Sequence, residues 1–345
     1  MKGKVRTVLG DIEPAEVGMT SMHEHLFIDF TVVFQPPVEA TAKARAYEPV
    51  SMSNLGRIRY DPFSSSTNLL LLDEDEAIEE VGHFTRVGGG TIVDVTTIGI
   101  GRDPVGLGNI ARATGAHIVM GAGYYIAPSH PNGMDDVTVD DLTAEMVADV
   151  TTGVGNTGIR AGLIGELGCG WPLHDNERKV LLAAAVAQQE TGASILIHPG
   201  RDEEAPFEVL DILAGAGADV ERVVMGHIGR TYKSIERVLD LAKTGCYLEY
   251  DQFGWESSYF SYGVMDFPND AQRMDHIQRL MAEGYTDKIV IGQDICGKHH
   301  LVKYGGWGYG HIIEHIVPRL RDRGVSEDEI DAIYVGNPTA VLTLV

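Results

Sequence analysis

Cysteine is scarce in this 345-residue chain: there are three, Cys169, Cys246 and Cys296. Any disulfide scheme leaves one thiol over, and no CxxC spacing occurs. This fits a reducing compartment, and the cytoplasm is expected. Positive charge is also in short supply: 27 Lys+Arg against 50 Asp+Glu give a formal net charge of −23, so nucleic-acid phosphate is not an expected partner. No run approaches about 20 consecutive apolar residues, and residues 1–10 lack the apolar stretch of a signal peptide, so no membrane partner is expected. No Pro/Gly/Ser-rich linker, low-complexity tract or solenoid repeat breaks the chain, which favours a single domain over residues 1–345. Apolar residues are plentiful, at 44 %, enough for a full core.

Short, β-branched apolar runs recur at 91–97, 117–123, 161–168, 194–200, 222–229, 246–250 and 288–294, with a weaker one at 18–24; they read as buried parallel strands. Between them the apolar period becomes helical. The clearest case is Asp175–Thr191, with Asp175 as N-cap and Gly192 as stop; further helices fit 73–87, 103–114, 139–152, 206–215, 232–243, 269–283 and 310–323. Eight strand–helix units predict an α/β protein, a closed (β/α)8 TIM barrel rather than an open sheet. Residues 30–70 form a long insertion after the first strand, and 296–309 a glycine-rich, aromatic loop after the last. Both fall on the face where strands end and active sites are built.

His23-Glu24-His25 places two imidazoles on one face of a strand, about 7 Å apart along it, with Glu24 on the other. Glu166, His198, His227 and Asp294 fall near the ends of the fourth, fifth, sixth and eighth strands, so six ligand-type side chains surround one barrel mouth. Individually, each could be a hydrogen-bonded core residue. Together, unpaired, they would cost several kcal/mol apiece, a cost that bound cations remove. Arg201 and Arg230 each follow a histidine by three residues, where a guanidinium clamps a carboxylate or sulfonate or else pairs with a loop acid. Tyr124 and Tyr125 end the third strand as candidate substrate contacts. Trp255, Tyr259, Phe260, Tyr304 and Trp307 suit a pocket wall, a lid or a subunit interface. His299 and His300 read as solvated loop residues, Asp94 and Arg102 as a structural pair, and Cys169 and Cys296 as packed thiols. There is no G-x-S-x-G elbow, and neither Ser21 nor Ser194 has an evident triad.

The HEH motif, Glu166, HPGR at 198–201, GHIGRT at 226–231, GQD at 292–294 and Gly336-Asn337-Pro338 resemble the phosphotriesterase family of the amidohydrolase superfamily. The run at 164–169 (IGELGC) with WPL at 171–173 and ERK at 177–179 is closest to its phosphotriesterase-related, glutamate-bridged branch. The resemblance implies two divalent metal ions, most readily Zn, with Mn, Co or Fe as alternatives. His23, His25 and Asp294 would hold the buried ion, His198 and His227 the exposed one, and Glu166 would bridge them together with a hydroxide. The founding enzymes bridge with a carboxylated lysine; Lys179 lies inside a helix and does not supply one. The implied activity is hydroxide attack on an amide, lactone or carboxylic ester, such as an N-acyl amino acid or a sugar-acid lactone. Asp294 would pass the proton, and Arg201, Arg230 and Tyr124 would touch the small-molecule substrate. A phosphotriesterase or phosphoesterase and a non-catalytic ligand-binding barrel are the alternatives, and the family implies a homodimer.

Overall fold

The computed structural model describes residues 2–262 and 266–345. Eight short parallel strands ring one axis: β1 (Met19–Glu24), β2 (Gly89–Asp94), β3 (His117–Ala122), β4 (Leu163–Gly168), β5 (Ile195–His198), β6 (Val223–Met225), β7 (Tyr247–Tyr250) and β8 (Ile289–Ile291). Each pairs with its neighbour in chain order. Between β8 and β1 the barrel closes without a regular ladder. There Asp294 N–H donates to the His23 carbonyl at 3.0 Å, and a Cβ on Gly292 would lie 2.9 Å from the His23 nitrogen, an approach only glycine allows.

Both faces of the strands are covered, which is why they read as nearly unbroken apolar runs. Met22, Val93, Val119, Leu163, Leu196, Val224 and Val290 fill the barrel interior as one buried cluster. Their strand neighbours Ile92, Ile118, Ile164, Ile195, Val223 and Ile289 face the helices instead. Those helices are α1 (Glu74–Arg86), α2 (Pro104–Thr114), α3 (Val139–Thr151), α4 (Asp175–Thr191), α5 (Ala205–Gly215), α6 (Ile235–Ala242), α7 (Asp270–Ala282) and α8 (Val317–Asp322). Side-chain caps start many of them, as the sequence signals require: Asp73, Asp103, Thr138, Ser234 and Asn269 each accept a backbone N–H of the first turn.

Several expectations need correction. The α4 cap is His174, whose ring accepts from Asn176 N–H while Glu177 reaches back to His174 N–H. The expected helix at 310–323 opens as a wide turn, Ile312–Ile316, because Pro318 has no N–H to return to Glu314. Strands two, six and eight end at Asp94, Met225 and Ile291, short of their apolar runs. In the last two the chain leaves the ladder to place His227 (φ 57°) and Asp294 (φ 51°) in the left-handed region. Arg102 pairs with Asp149 on α3 at 2.7 Å, whereas Asp94 accepts Leu26 N–H (2.7 Å) and Thr96 N–H (3.1 Å). Asp94 is thus engaged by the backbone just beyond β1 and β2, and Arg102 reaches outward to a helix. The 30–70 segment forms two small helices, Ala40–Ala46 and Leu55–Tyr60, and folds over the strand-end face, where Asn68 accepts His299 N–H at 2.9 Å.

Candidate metal centre

Six side chains converge at the strand ends, and the Glu166 carboxylate is at their middle. Its Oε1 lies 3.5 Å from His25 Nε2; its Oε2 lies 3.5 Å from His23 Nε2, 3.1 Å from His198 Nδ1 and 3.4 Å from His227 Nε2. Asp294 faces the same space, with Oδ1 3.4 Å from His25 Nε2 and 4.0 Å from His23 Nε2. All six are buried. Alternation puts His23 and His25 on the inward face and Glu24 on the other, and an irregularity in the ladder between Ser21 and Glu24 lets His23 face inward although Met22 also fills the barrel interior.

Three residues that the sequence did not single out set the ring orientations. Glu249 on β7 takes His23 Nδ1 at 2.9 Å. Thr96 is 2.8 Å from His25 Nδ1 and gives its own hydroxyl proton to the Phe27 carbonyl, so it must accept from that ring. Asp251 accepts His227 N–H at 2.6 Å and lies 3.1 Å from His227 Nδ1. In the neutral rings of His23 and His25 the proton is thereby held on Nδ1, which leaves the Nε2 lone pair to bind a cation. Glu249 and Asp251 are two apart in CYLEYD, an alternation that marks one strand face and is the available signal for them.

Burial opposes charge throughout the cluster, and the neighbours decide the outcome. On His23 the Glu249 and Glu166 carboxylates outweigh burial and hold the imidazole well above its ordinary value. Glu166, against burial, is held well below the usual carboxylate range by His23, His198 and His227. Asp294 is likewise brought to about 2, burial being overcome by its contact with His25 and by the His227 and His23 rings. His198 is pushed down by burial, then by His227 and Arg230.

The donor set suits divalent transition ions: four imidazoles and two ionised carboxylates, with a bridging-capable carboxylate at the centre. An independent sign is His23 Nε2, buried and without a hydrogen-bond partner. Groups that could hold an ion include His23, His25 and Asp294, and also His23, Glu166 and His227.

Arg230 flanks this cluster, its Nη2 3.1 Å from His198 Nε2 and 3.0 Å from the Pro199 carbonyl. Arg201 lies over the rings of Tyr262 (4.9 Å) and Phe260 (5.4 Å). Among the described residues neither guanidinium has a carboxylate within ion-pair distance, and Arg201 Nε and Arg230 Nη1 are buried without partners. Burial, then Arg201, lowers Arg230 to about 9. Tyr124 is not at the cluster, since its hydroxyl donates to Glu145 on α3. Its neighbour Tyr125, on the opposite face, has its hydroxyl 3.2 Å from His198 Nδ1.

Trp255, Tyr259, Phe260 and Trp307 line a cavity of about 270 Å³ with Arg59, Pro62, His299 and His300. Tyr304 is not among them; it donates to Glu76 on α1 at 2.8 Å. His299 and His300, expected in solvent, are buried because the 30–70 segment covers them. Their rings are 3.9 Å apart, His300 packs on Trp255 at 4.6 Å, and burial pushes His300 down to about 3. All three cysteines are buried free thiols. Ser21 Oγ donates to Glu24 and Ser194 Oγ to the Val341 carbonyl, so neither is a nucleophile. Lys179 Nζ is bonded to the carbonyls of Met134 and Val137, far from any bridging position.

A parallel barrel with imidazoles and carboxylates gathered at its strand ends defines the class of metal-dependent barrel hydrolases. The sequence profile of the phosphotriesterase family matches residues 3–342, and the chain belongs to that family. It is 44 % identical to the N-acetyltaurine hydrolase of Salmo salar over 99 % of each chain, and 44 % identical to a phosphotriesterase-related protein of Nematostella vectensis over 99 % of each. The crystal structure of a resiniferatoxin-binding protein from Rhodobacter sphaeroides superposes with a TM-score of 0.95 at 38 % identity, covering 99 % of this chain and 95 % of that one. The protein is a hydrolase, and no helix among its described residues is long and apolar enough to cross a membrane.

Proposed function

We propose that this protein is an amidohydrolase for small N-acyl compounds with an anionic tail, such as N-acetyltaurine and N-acetyl amino acids. The carrying observation is a pair of guanidiniums beside the His198 edge of the cluster, Arg230 buried and Arg201 half-buried with its Nε in the interior, that have no carboxylate partner among the described residues. A buried cation without a counter-ion is costly, and a sulfonate or carboxylate tail would satisfy both. The names of the similar N-acetyltaurine hydrolases support this choice.

In this reading His23, His25 and Asp294 would hold one cation and His198 and His227 a second, with the Glu166 carboxylate available to both. Divalent ions, zinc first and manganese, cobalt or iron as alternatives, supply at this site a lowered water pKa and polarisation of the acyl oxygen. The chain's own groups do the remainder. Asp294, ionised at neutral pH, accepts the proton of the attacking water and delivers it to the leaving nitrogen. Arg201 and Arg230 orient the tail, with Tyr125 beside them. Phe260, under the Arg201 guanidinium, and Trp255, whose indole N–H donates to the Gln293 carbonyl next to Asp294, supply apolar surface at the edge of the site. A cytoplasmic homodimer belongs to the same reading, the location supported by three buried free thiols and the assembly by family membership.

The test is hydrolysis of N-acetyltaurine, N-acetyl amino acids, neutral lactones and paraoxon before and after EDTA, then with Zn²⁺, Mn²⁺ or Co²⁺ restored. Chelation should abolish turnover of the anionic amides and metal should return it. Turnover indifferent to EDTA, or a preference for paraoxon, overturns the proposal.

A further inference from the structure

Asp294 occupies a left-handed backbone conformation that a non-glycine residue keeps only when its surroundings enforce it. Its φ is 51°, and it lies at the seam where β8 meets β1 without a ladder. The N–H groups on either side of it, those of Gln293 and Ile295, are claimed by one side chain: Glu24 Oε1 accepts Gln293 N–H at 3.0 Å and Oε2 accepts Ile295 N–H at 3.1 Å. Asp294 N–H itself goes to the His23 carbonyl. Ser21 Oγ donates to Glu24 Oε1 at 2.5 Å, which completes the environment of a fully buried carboxylate.

The other left-handed residue of the cluster repeats the arrangement. His227 (φ 57°) has its N–H taken by the buried Asp251 carboxylate of the next strand, at 2.6 Å. Both cluster residues that leave their strands through left-handed backbone are thus held by a buried carboxylate from an adjoining strand. For His227 the acid also faces the ring; for Asp294 it acts through backbone alone.

We propose that Glu24, the middle residue of the HEH motif, is a positioning residue that fixes the backbone of Asp294 and so aims its carboxylate at His23, His25 and His227. Glu24 touches neither substrate nor cation; it replaces the missing ladder at the seam with two hydrogen bonds that bracket one residue. The catalytic consequence rests on the role given to Asp294 above, whereas the structural consequence does not.

Glu24→Gln keeps the shape but leaves one carbonyl oxygen for two N–H groups. In the metal-free protein, amide hydrogen exchange at Gln293 and Ile295 should quicken while β8 itself keeps its protection. Zinc affinity should fall about 10- to 100-fold. With zinc saturating, kcat for N-acetyltaurine should drop about tenfold or more with KM within twofold, and Glu24→Gln should cost nothing further in an Asp294→Asn background. Ser21→Ala, which spares both backbone bonds, should leave exchange and kcat near the parent values. Unchanged exchange at Gln293 and Ile295 in Glu24→Gln, or an undiminished kcat cost of that change in the Asp294→Asn background, overturns the proposal. Should Glu24→Gln not fold, Glu24→Asp, which withdraws both acceptors by one methylene, is read by the same exchange measurement; failure of both to fold makes Glu24 a folding residue and also overturns it. A parent protein that binds no zinc defeats the function proposed above, while the exchange result still decides this inference.

Discussion

Asp294 combines an ionised carboxylate, a left-handed backbone and contacts to His25, and each can be perturbed separately. Asp294→Asn keeps the volume and loses the proton acceptor, so kcat should fall about 10²- to 10⁴-fold with the protein folded, read by steady-state assay and circular dichroism. Arg230→Met should raise KM for N-acetyltaurine about 10- to 100-fold, the worth of a hydrogen bond to a charged group, and leave a neutral lactone nearly unaffected. Glu249→Gln weakens the hold on His23 Nδ1, so zinc affinity should drop about 10- to 100-fold by competitive chelator titration. At this scale the six ligand-type residues were legible because histidines and acids at strand ends are expensive without a partner. Tyr125 was not separable from Tyr124, because adjacent residues at a strand end exchange faces with any small shift of the ladder. Glu249 and Asp251 looked like ordinary residues of a short strand, since nothing local says which face of β7 looks inward.

Among the elements, α7 shows how a barrel helix supports a loop. Its first residue, Asp270, accepts Gly254 N–H of the β7 loop at 2.9 Å, pairs with Arg273 at 2.9 Å and with His311 at 2.8 Å, all in the interior. Burial works against the Asp270 charge, but the His311 contact and the Arg273 charge hold its pKa below the ordinary carboxylate value. A carboxylate with a depressed folded-state pKa stabilises above its unfolded value of about 3.9 and loses that contribution as pH falls through the lower folded value. Asp270→Asn leaves Arg273 buried and uncompensated, at about 3–5 kcal/mol near pH 7. Thermal denaturation followed across pH should give a gap between parent and variant that is full at pH 7 and narrows below about pH 4. Helix caps and apolar periods made most elements readable from the chain. Strand ends were overestimated at 222–229 and 288–294 because apolar character continues past the point where the backbone turns left-handed.

For the molecule as a whole, one electrostatic liability is the burial of His23, His25, Glu166, His198, His227 and Asp294 together. Cations that bind the folded but not the unfolded chain add RT ln(1 + [M]/Kd), about 4 kcal/mol at a thousandfold excess over Kd. Exhaustive chelation should therefore lower the melting temperature by several degrees, and zinc should restore it in a concentration-dependent way. A melting temperature indifferent to both treatments would contradict a structural contribution from metal.

The linear chain determined the strand–helix alternation, the absence of disulfides and the residue types at strand ends, because period, capping and the price of burying polar groups act over a few residues. Folding in three dimensions decided the partners. Whether Arg102 met Asp94 or Asp149, whether His299 stayed in water, and which acids braced His23, His227 and Asp294 all depended on contacts between segments far apart in sequence. Those contacts follow from barrel closure and strand register, which are global properties that no local pattern contains.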